Sequence, residues 1–189
     1  MNRRDALSAV AVLLGGTIVG ADMFLTGCKA PAKKIAGLPF TKEDIAFLDE
    51  VAETIIPATS TPGAKTAKVG EFMNTMVTDC YDADEQKIFL DGIGKLDEAA
   101  SKKYSKSFME LDATQKHDLL VEADKEQAAY MKSKKKEDPK HYFRMMKELT
   151  LLGFFSSKEG ATQALRYVAV PGKYEGCIPY KKGDKAWAT

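Results

Sequence analysis

The chain has 189 residues, and its 28 lysines and arginines nearly balance 27 aspartates and glutamates for a net charge of +1. Such a balance gives no global field for a nucleic-acid partner. The length suits a single domain of about 150 residues behind an N-terminal leader.

The leader comes first in chain order. Arg3-Arg4 precede an apolar run from Ala6 to Ala21, interrupted by Asp22, and then Leu25-Thr26-Gly27-Cys28. A basic start, a short apolar segment and small residues before a cut are the parts of an export signal, and the run is short for a membrane span. Leu-Thr-Gly-Cys has the form of a bacterial lipobox, in which the cysteine is acylated and becomes the first mature residue. Asn2 to Leu7 resembles the twin-arginine export signal, which carries folded passengers, although Ala6 stands where that pattern prefers a bulky apolar residue. Residues 1–27 are therefore expected to be a twin-arginine lipoprotein signal, and 28–39 a lipidated tether with two prolines and three lysines among 29–39. The alternatives are the general secretory route, or an N-terminal helix in which Cys28 is only a small hydrophobe.

From residue 40 the pattern is helical and shows no strand alternation. Thr41 with Asp44 caps a first helix bearing Ile45, Leu48, Ala52, Ile55 and Ile56 until Pro57 stops it. Val69, Phe72, Met73, Met76, Val77 and Cys80 recur at helical spacing, which puts Cys80 on a buried face. Asp82 and Glu85 open a third helix with Phe89, Ile93, Leu96 and Ala100, which Gly92 and Gly94 should weaken or bend. Asp112 and Gln115 start a fourth, with Leu119, Leu120 and Ala123 inward; Asp138-Pro139 start a fifth, with Phe143, Met146, Leu149 and Leu152 before Gly153. Ser156 with Glu159 caps a short sixth. The expected fold is all-α, an irregular bundle of about six helices over 40–189, closed by a non-regular C-terminal strap from Val168 onward.

Outside the cytoplasm the two cysteines left after acylation, Cys80 and Cys177, are expected to pair, tying the strap to the second helix. In the chain-entropy model a loop of about 100 residues contributes roughly 4 to 5 kcal/mol. Two unrelated thiols are the alternative.

Motifs for independent chemistry are absent from the sequence. There is no Gly-x-Gly-x-x-Gly, no phosphate-binding loop, no Cys-x-x-Cys-His, no His-Glu-x-x-His and no Gly-x-Ser-x-Gly. His117 and His141 read as surface or helix-end residues, and Met73, Met76, Met145 and Met146 as core filling. Lys132 to Lys136 reads as a solvated turn, with attraction to anionic lipid as the functional option. No catalytic, cofactor-binding or metal-binding residue is assigned.

The stretch Glu53-Thr54-Ile55-Ile56-Pro57-Ala58-Thr59-Ser60-Thr61-Pro62-Gly63-Ala64 resembles the signature of the gluconate 2-dehydrogenase subunit 3 family. Gly160 to Tyr167 and Pro171 to Cys177 resemble its closing part, so the likeness runs from Phe40 to Trp187. Ser60 stands where many members carry an acidic residue. The resemblance implies a non-catalytic accessory subunit beside an FAD-containing oxidoreductase of the glucose-methanol-choline type and a c-type cytochrome carrying haem c. The lipobox departs from the family pattern and leaves the substrate open between gluconate and other sugars or glycosides.

The reading is thus an accessory subunit of a periplasmic sugar or polyol dehydrogenase, aiding flavoprotein export and anchored through Cys28. Its partner surface is expected on the loop, at Pro57, Thr59, Thr61 and Pro62, with Tyr174, Tyr180 and Trp187 of the strap. A free-standing envelope lipoprotein is the rival, and an enzyme site around Glu53, Asp79 and Arg166 a third reading.

Overall fold

Five α-helices carry the fold: α1 (Lys42–Ile55), α2 (Val69–Cys80), α3 (Ala83–Tyr104), α4 (Ala113–Ser133) and α5 (Tyr142–Ser156). A 3-10 turn at Phe108–Glu110 and a π-helical turn at Gly160–Ala164 complete the regular structure, and no strand pairs into a sheet among the described residues. The computed structural model describes residues 40–170, 172–173 and 175–188. Arg3, Arg4, Cys28, Pro171 and Tyr174 lie outside them.

The caps read from sequence hold at the first, third and fourth helices. Thr41 Oγ1 accepts from the Asp44 N–H at 3.1 Å while Asp44 Oδ2 accepts from the Thr41 N–H at 2.8 Å. Asp82 and Asp112 accept from the Glu85 and Gln115 N–H groups at 2.9 and 2.8 Å. Each such cap stabilises its helix by about 1 kcal/mol.

Helix α5 is the central element, packing against all four others. It buries Phe143, Met145, Met146, Leu149 and Phe154, with Leu48, Val51, Met73, Val77, Phe89 and Leu96 facing it from α1, α2 and α3 in one apolar core. Met73, Met145 and Met146 are fully enclosed there as core filling. Helix α3 runs unbroken through Gly92 and Gly94, against the expectation of a bend. Gly92 is a packing residue: a Cβ there would lie 2.6 Å from the Tyr142 side chain of α5. Close approach of the two helices outweighs the roughly 1 kcal/mol of helix propensity that glycine forgoes.

The other expectations shift by a few residues, each for a local reason. Helix α5 begins at Tyr142, because the Asp138 carboxylate is engaged by the Lys135 N–H at 2.8 Å and the cap passes to His141. Gly153 lies inside α5, whose last turn is closed by the Ser157 N–H on the Phe154 carbonyl at 3.1 Å, and Ser157 rather than Ser156 caps the following turn, its Oγ accepting from the Gly160 N–H at 3.0 Å. Cys80 is exposed, correcting its placement on the buried face. The chain leaves α2 in extended conformation at Tyr81, which packs on the core, and Gln86 Nε2 donates to the carbonyls of Val77, Thr78 and Tyr81 at 3.0 to 3.1 Å. The helix end is thus capped beyond the packed face.

Candidate functional site

The loop between α1 and α2 carries the longest motif of the sequence, and one carboxylate organises it. Glu53, in the last turn of α1, accepts the Ala58 N–H on Oε1 and the Lys65 N–H on Oε2, both at 2.8 Å. The two ends of the loop are closed onto the same side chain. Within the loop the Ala64 N–H donates to the Ile56 carbonyl at 3.0 Å and the Thr59 N–H to the Thr61 carbonyl at 2.9 Å.

Gly63 is what lets the carboxylate sit there. A Cβ at this position would lie 2.3 and 2.4 Å from the Glu53 oxygens and 2.6 Å from the Ala58 nitrogen. Ala64 beside it is fully buried, whereas Pro57, Ala58, Thr59 and Ser60 are exposed and Thr61 and Pro62 half-buried. The motif therefore encodes a stiff exposed tip on a clasped base.

Two more acids of α1 extend the clasp. Lys68, the residue before α2, has a left-handed backbone (φ 55°) and offers no side-chain cap. Asp49 supplies one instead, its Oδ1 accepting the Gly70 N–H at 2.8 Å. Burial pushes the Asp49 carboxyl above its ordinary pKa, against the Gly70 N–H, which favours the charged form. Glu50 accepts from the Lys65 ammonium and from Lys116 of α4, the latter at 3.0 Å. The Lys65 hydrogen bond is the main reason the Glu50 carboxyl titrates below its ordinary range. Asp49, Glu50 and Glu53 together fix the loop and the start of α2 to α1.

The strap is tied differently. Arg166 and Trp187 form an isolated parallel bridge, with the Arg166 N–H donating to the Ala186 carbonyl at 2.8 Å and the Ala188 N–H to the Arg166 carbonyl at 2.9 Å. The Arg166 guanidinium stacks 3.8 Å over the Trp187 ring. Trp187 remains 47% exposed and Tyr180 76% exposed. Cys177 is exposed and free, as is Cys80, so the pairing expected between them is not present in the structure.

The residues of the third, enzymatic reading are not brought together. Glu53 is engaged by the loop, Arg166 by Trp187, and Asp79 is exposed near the end of α2. His117 is a surface residue, but His141 is not: its side chain is 10% exposed, and Nδ1 accepts the Phe143 N–H at 3.2 Å as the α5 cap. Desolvation lowers its pKa against the opposing pull of Glu126. It borders an open cleft of about 510 Å³ with Lys95, Tyr130 and Tyr142, where burial pushes the Tyr142 phenol up to about 12.

The sequence reading also missed an exposed apolar stripe on α5. Leu151, Leu152 and Phe155 are 41%, 52% and 40% exposed, although Leu152 was expected inward. Residues three and four apart share a helix face, and these three continue the solvent face that begins with Arg144, Lys147 and Glu148. In the last turns of α5 apolar side chains therefore stand on both faces, and hydrophobicity alone does not mark which of them is inward.

No group of three or more histidine, cysteine, aspartate or glutamate side chains is placed to hold a metal among the described residues, and no described helix is long and apolar enough to cross a membrane. Compared with known families, the chain matches the profile described as Gluconate 2-dehydrogenase subunit 3 over residues 42–172. The match takes in all five helices and the clasped loop and ends before most of the strap. No curated protein and no solved structure matches the chain.

Proposed function

The chain belongs to the gluconate 2-dehydrogenase subunit 3 family, and from that premise we propose that it is the non-catalytic accessory subunit of a periplasmic FAD-dependent sugar or polyol dehydrogenase. Its partner is a flavoprotein of the glucose-methanol-choline type, with a c-type cytochrome as electron acceptor. The twin-arginine signal at Arg3-Arg4 exports the pair after the flavoprotein has folded around FAD, and acylated Cys28 holds it at the membrane facing the periplasm.

The observation that carries the docking part is the clasped loop. A segment already fixed by Glu53 at both ends loses little conformational freedom on binding, so its contacts are not offset by ordering entropy. Its exposed tip, Pro57 to Ser60, falls within the region matched by the family. No hydrogen bond or ion pair joins this loop to the strap among the described residues, and the reading places the flavoprotein on the loop.

Gentle detergent purification of the full-length protein tests it. A yellow FAD-containing protein is expected to co-purify, and Thr59→Lys at the exposed tip is expected to reduce its recovery at least tenfold, the order of one lost interface anchor. The helical circular dichroism and melting temperature of that variant should be unchanged. A wild-type chain that elutes alone and colourless, with sugar-dependent dye reduction unaffected by its deletion, would favour the free-standing lipoprotein.

A further inference from the structure

We propose that the strap from Arg166 to Ala188 lies against the anionic phospholipid surface of the membrane, and so orients the domain; the setting rests on the lipid-anchor reading above. The charge distribution points there first. The chain as a whole carries +1, yet residues 166–188 hold five basic and two acidic side chains. Both acids are engaged locally, Glu175 by Lys173 at 2.6 Å and the Asp184 carboxylate by the Lys181 N–H at 2.9 Å.

Lys181 and Lys182 are exposed and have no carboxylate partner among the described residues. They are presented by a tight turn, closed by the Asp184 N–H on the Lys181 carbonyl at 3.0 Å and made possible by Gly183 at φ 96°. The same strap carries Tyr180, Trp187, Tyr167 and Val170, which are 76%, 47%, 52% and 83% exposed. Lysine is depleted from protein–protein interfaces. Lysine beside tyrosine and tryptophan is instead the composition of the lipid headgroup boundary, where the ammonium meets phosphate and the ring sits at the acyl edge.

The tether gives such a contact a purpose. Residues 28–39 reach about 40 Å when extended, close to the roughly 40 Å breadth of a domain of this size. An acyl chain on Cys28 therefore holds the domain near the bilayer without choosing the face turned toward it.

Trp187 is the only tryptophan, so its fluorescence reads the strap alone. Full-length protein is reconstituted into vesicles of phosphatidylcholine, or of phosphatidylcholine mixed with phosphatidylglycerol. In the mixed vesicles Trp187 emission should shift blue and be quenched by brominated lipid, and high salt should reverse both. The Lys181→Glu, Lys182→Glu double variant should return quenching to the phosphatidylcholine level, each lysine contributing about fivefold in binding. Tyr180→Ala should lower it independently, with helical circular dichroism unchanged in both, and Lys136→Glu in the α4–α5 turn should have no effect.

Equal emission and equal quenching by aqueous iodide in the two vesicle types would overturn the proposal, as would shielding of Trp187 that arises only on adding the flavoprotein. The anchor is read separately, by the mass of Cys28 and by flotation with phosphatidylcholine vesicles. A chain without acyl groups that still shows Trp187 quenching on phosphatidylglycerol would uphold the strap contact and defeat the anchor.

Discussion

The loop from Pro57 to Ala64 and the strap after Arg166 are alike in being broken by proline and glycine, yet they are held in different ways. Three carboxylates of α1 organise the loop and its flanks, each through a backbone N–H or an ammonium. Among the described residues the strap is tied by one bridge, one arginine–tryptophan stack and the Lys185 ammonium donating to the Gln163 carbonyl. Irregular composition does not decide how firmly a segment is fixed. What decides is whether the preceding helix ends in side chains that can satisfy the segment's amides.

The largest expected effect breaks the clasp. Glu53→Ala leaves the Ala58 and Lys65 N–H groups without their charged acceptor, and Gly63→Ala pushes a methyl group into the same carboxylate. Hydrogen bonds to a charged group contribute about 1.5 to 3 kcal/mol each. Partial exposure of the loop leaves water as a substitute, so a net loss of about 3 kcal/mol is expected for either variant. Thermal unfolding should show it as a fall of roughly 10 °C in Tm. A double variant no worse than either single one would tie both losses to one contact, whereas additive losses would show that Gly63 acts through something other than Glu53.

These two residues also mark what was legible in the sequence. The caps at Thr41, Asp82 and Asp112 could be read because capping is local, a matter of residues three apart. The helical class and the apolar faces of α1, α2 and α4 followed from period alone. Glu53 belonged to a recognisable motif, but its task depends on a loop returning to the helix end from Lys65, 12 positions away. Sequence spacing does not show that. Cys80 failed for a related reason: helical period continues to the end of α2, but the packed surface does not. His141 replaced Asp138 as a cap because the intervening turn had already engaged the aspartate.

Acid sharpens the comparison at smaller cost to the fold. The Glu50 carboxyl titrates below its ordinary value because Lys65 and Lys116 favour its charged form. Its folded pKa is thus lower than its unfolded one, so its stabilisation is present above about pH 4.5 and lost as pH falls through the folded pKa. Asp49 has the opposite shift and works against this loss, since burial already disfavours its charge. The arginine–tryptophan tie has no group that titrates there. Amide exchange measured from pH 6 to pH 3, corrected for intrinsic rates, should therefore show protection at Ala64 and Lys65 falling while Trp187 emission stays constant. Glu50→Gln should flatten the loop's response. Parallel loss at the loop and the strap would mean that the two are coupled through the core.

The smallest effect should come from cutting the strap's own tie. Trp187→Ala removes a stack on Arg166 that is half open to solvent, and cation–π contacts at such sites contribute about 0.5 to 1 kcal/mol. The bridge beside it is backbone to backbone, through Ala186 and Ala188, and survives the substitution in principle. The apolar core of the helices does not include Trp187. Tm is accordingly expected to fall by only about 1 to 4 °C, while limited proteolysis should cut first after Lys181 or Lys182, faster than in the wild type. Glu53→Ala should give the reverse pattern, a lower Tm with little change in cleavage at those lysines. If Trp187→Ala instead lowers Tm as far as the loop variants do, the strap is part of the cooperative fold, and its tie is stronger than one bridge, one stack and the Lys185 hydrogen bond can account for.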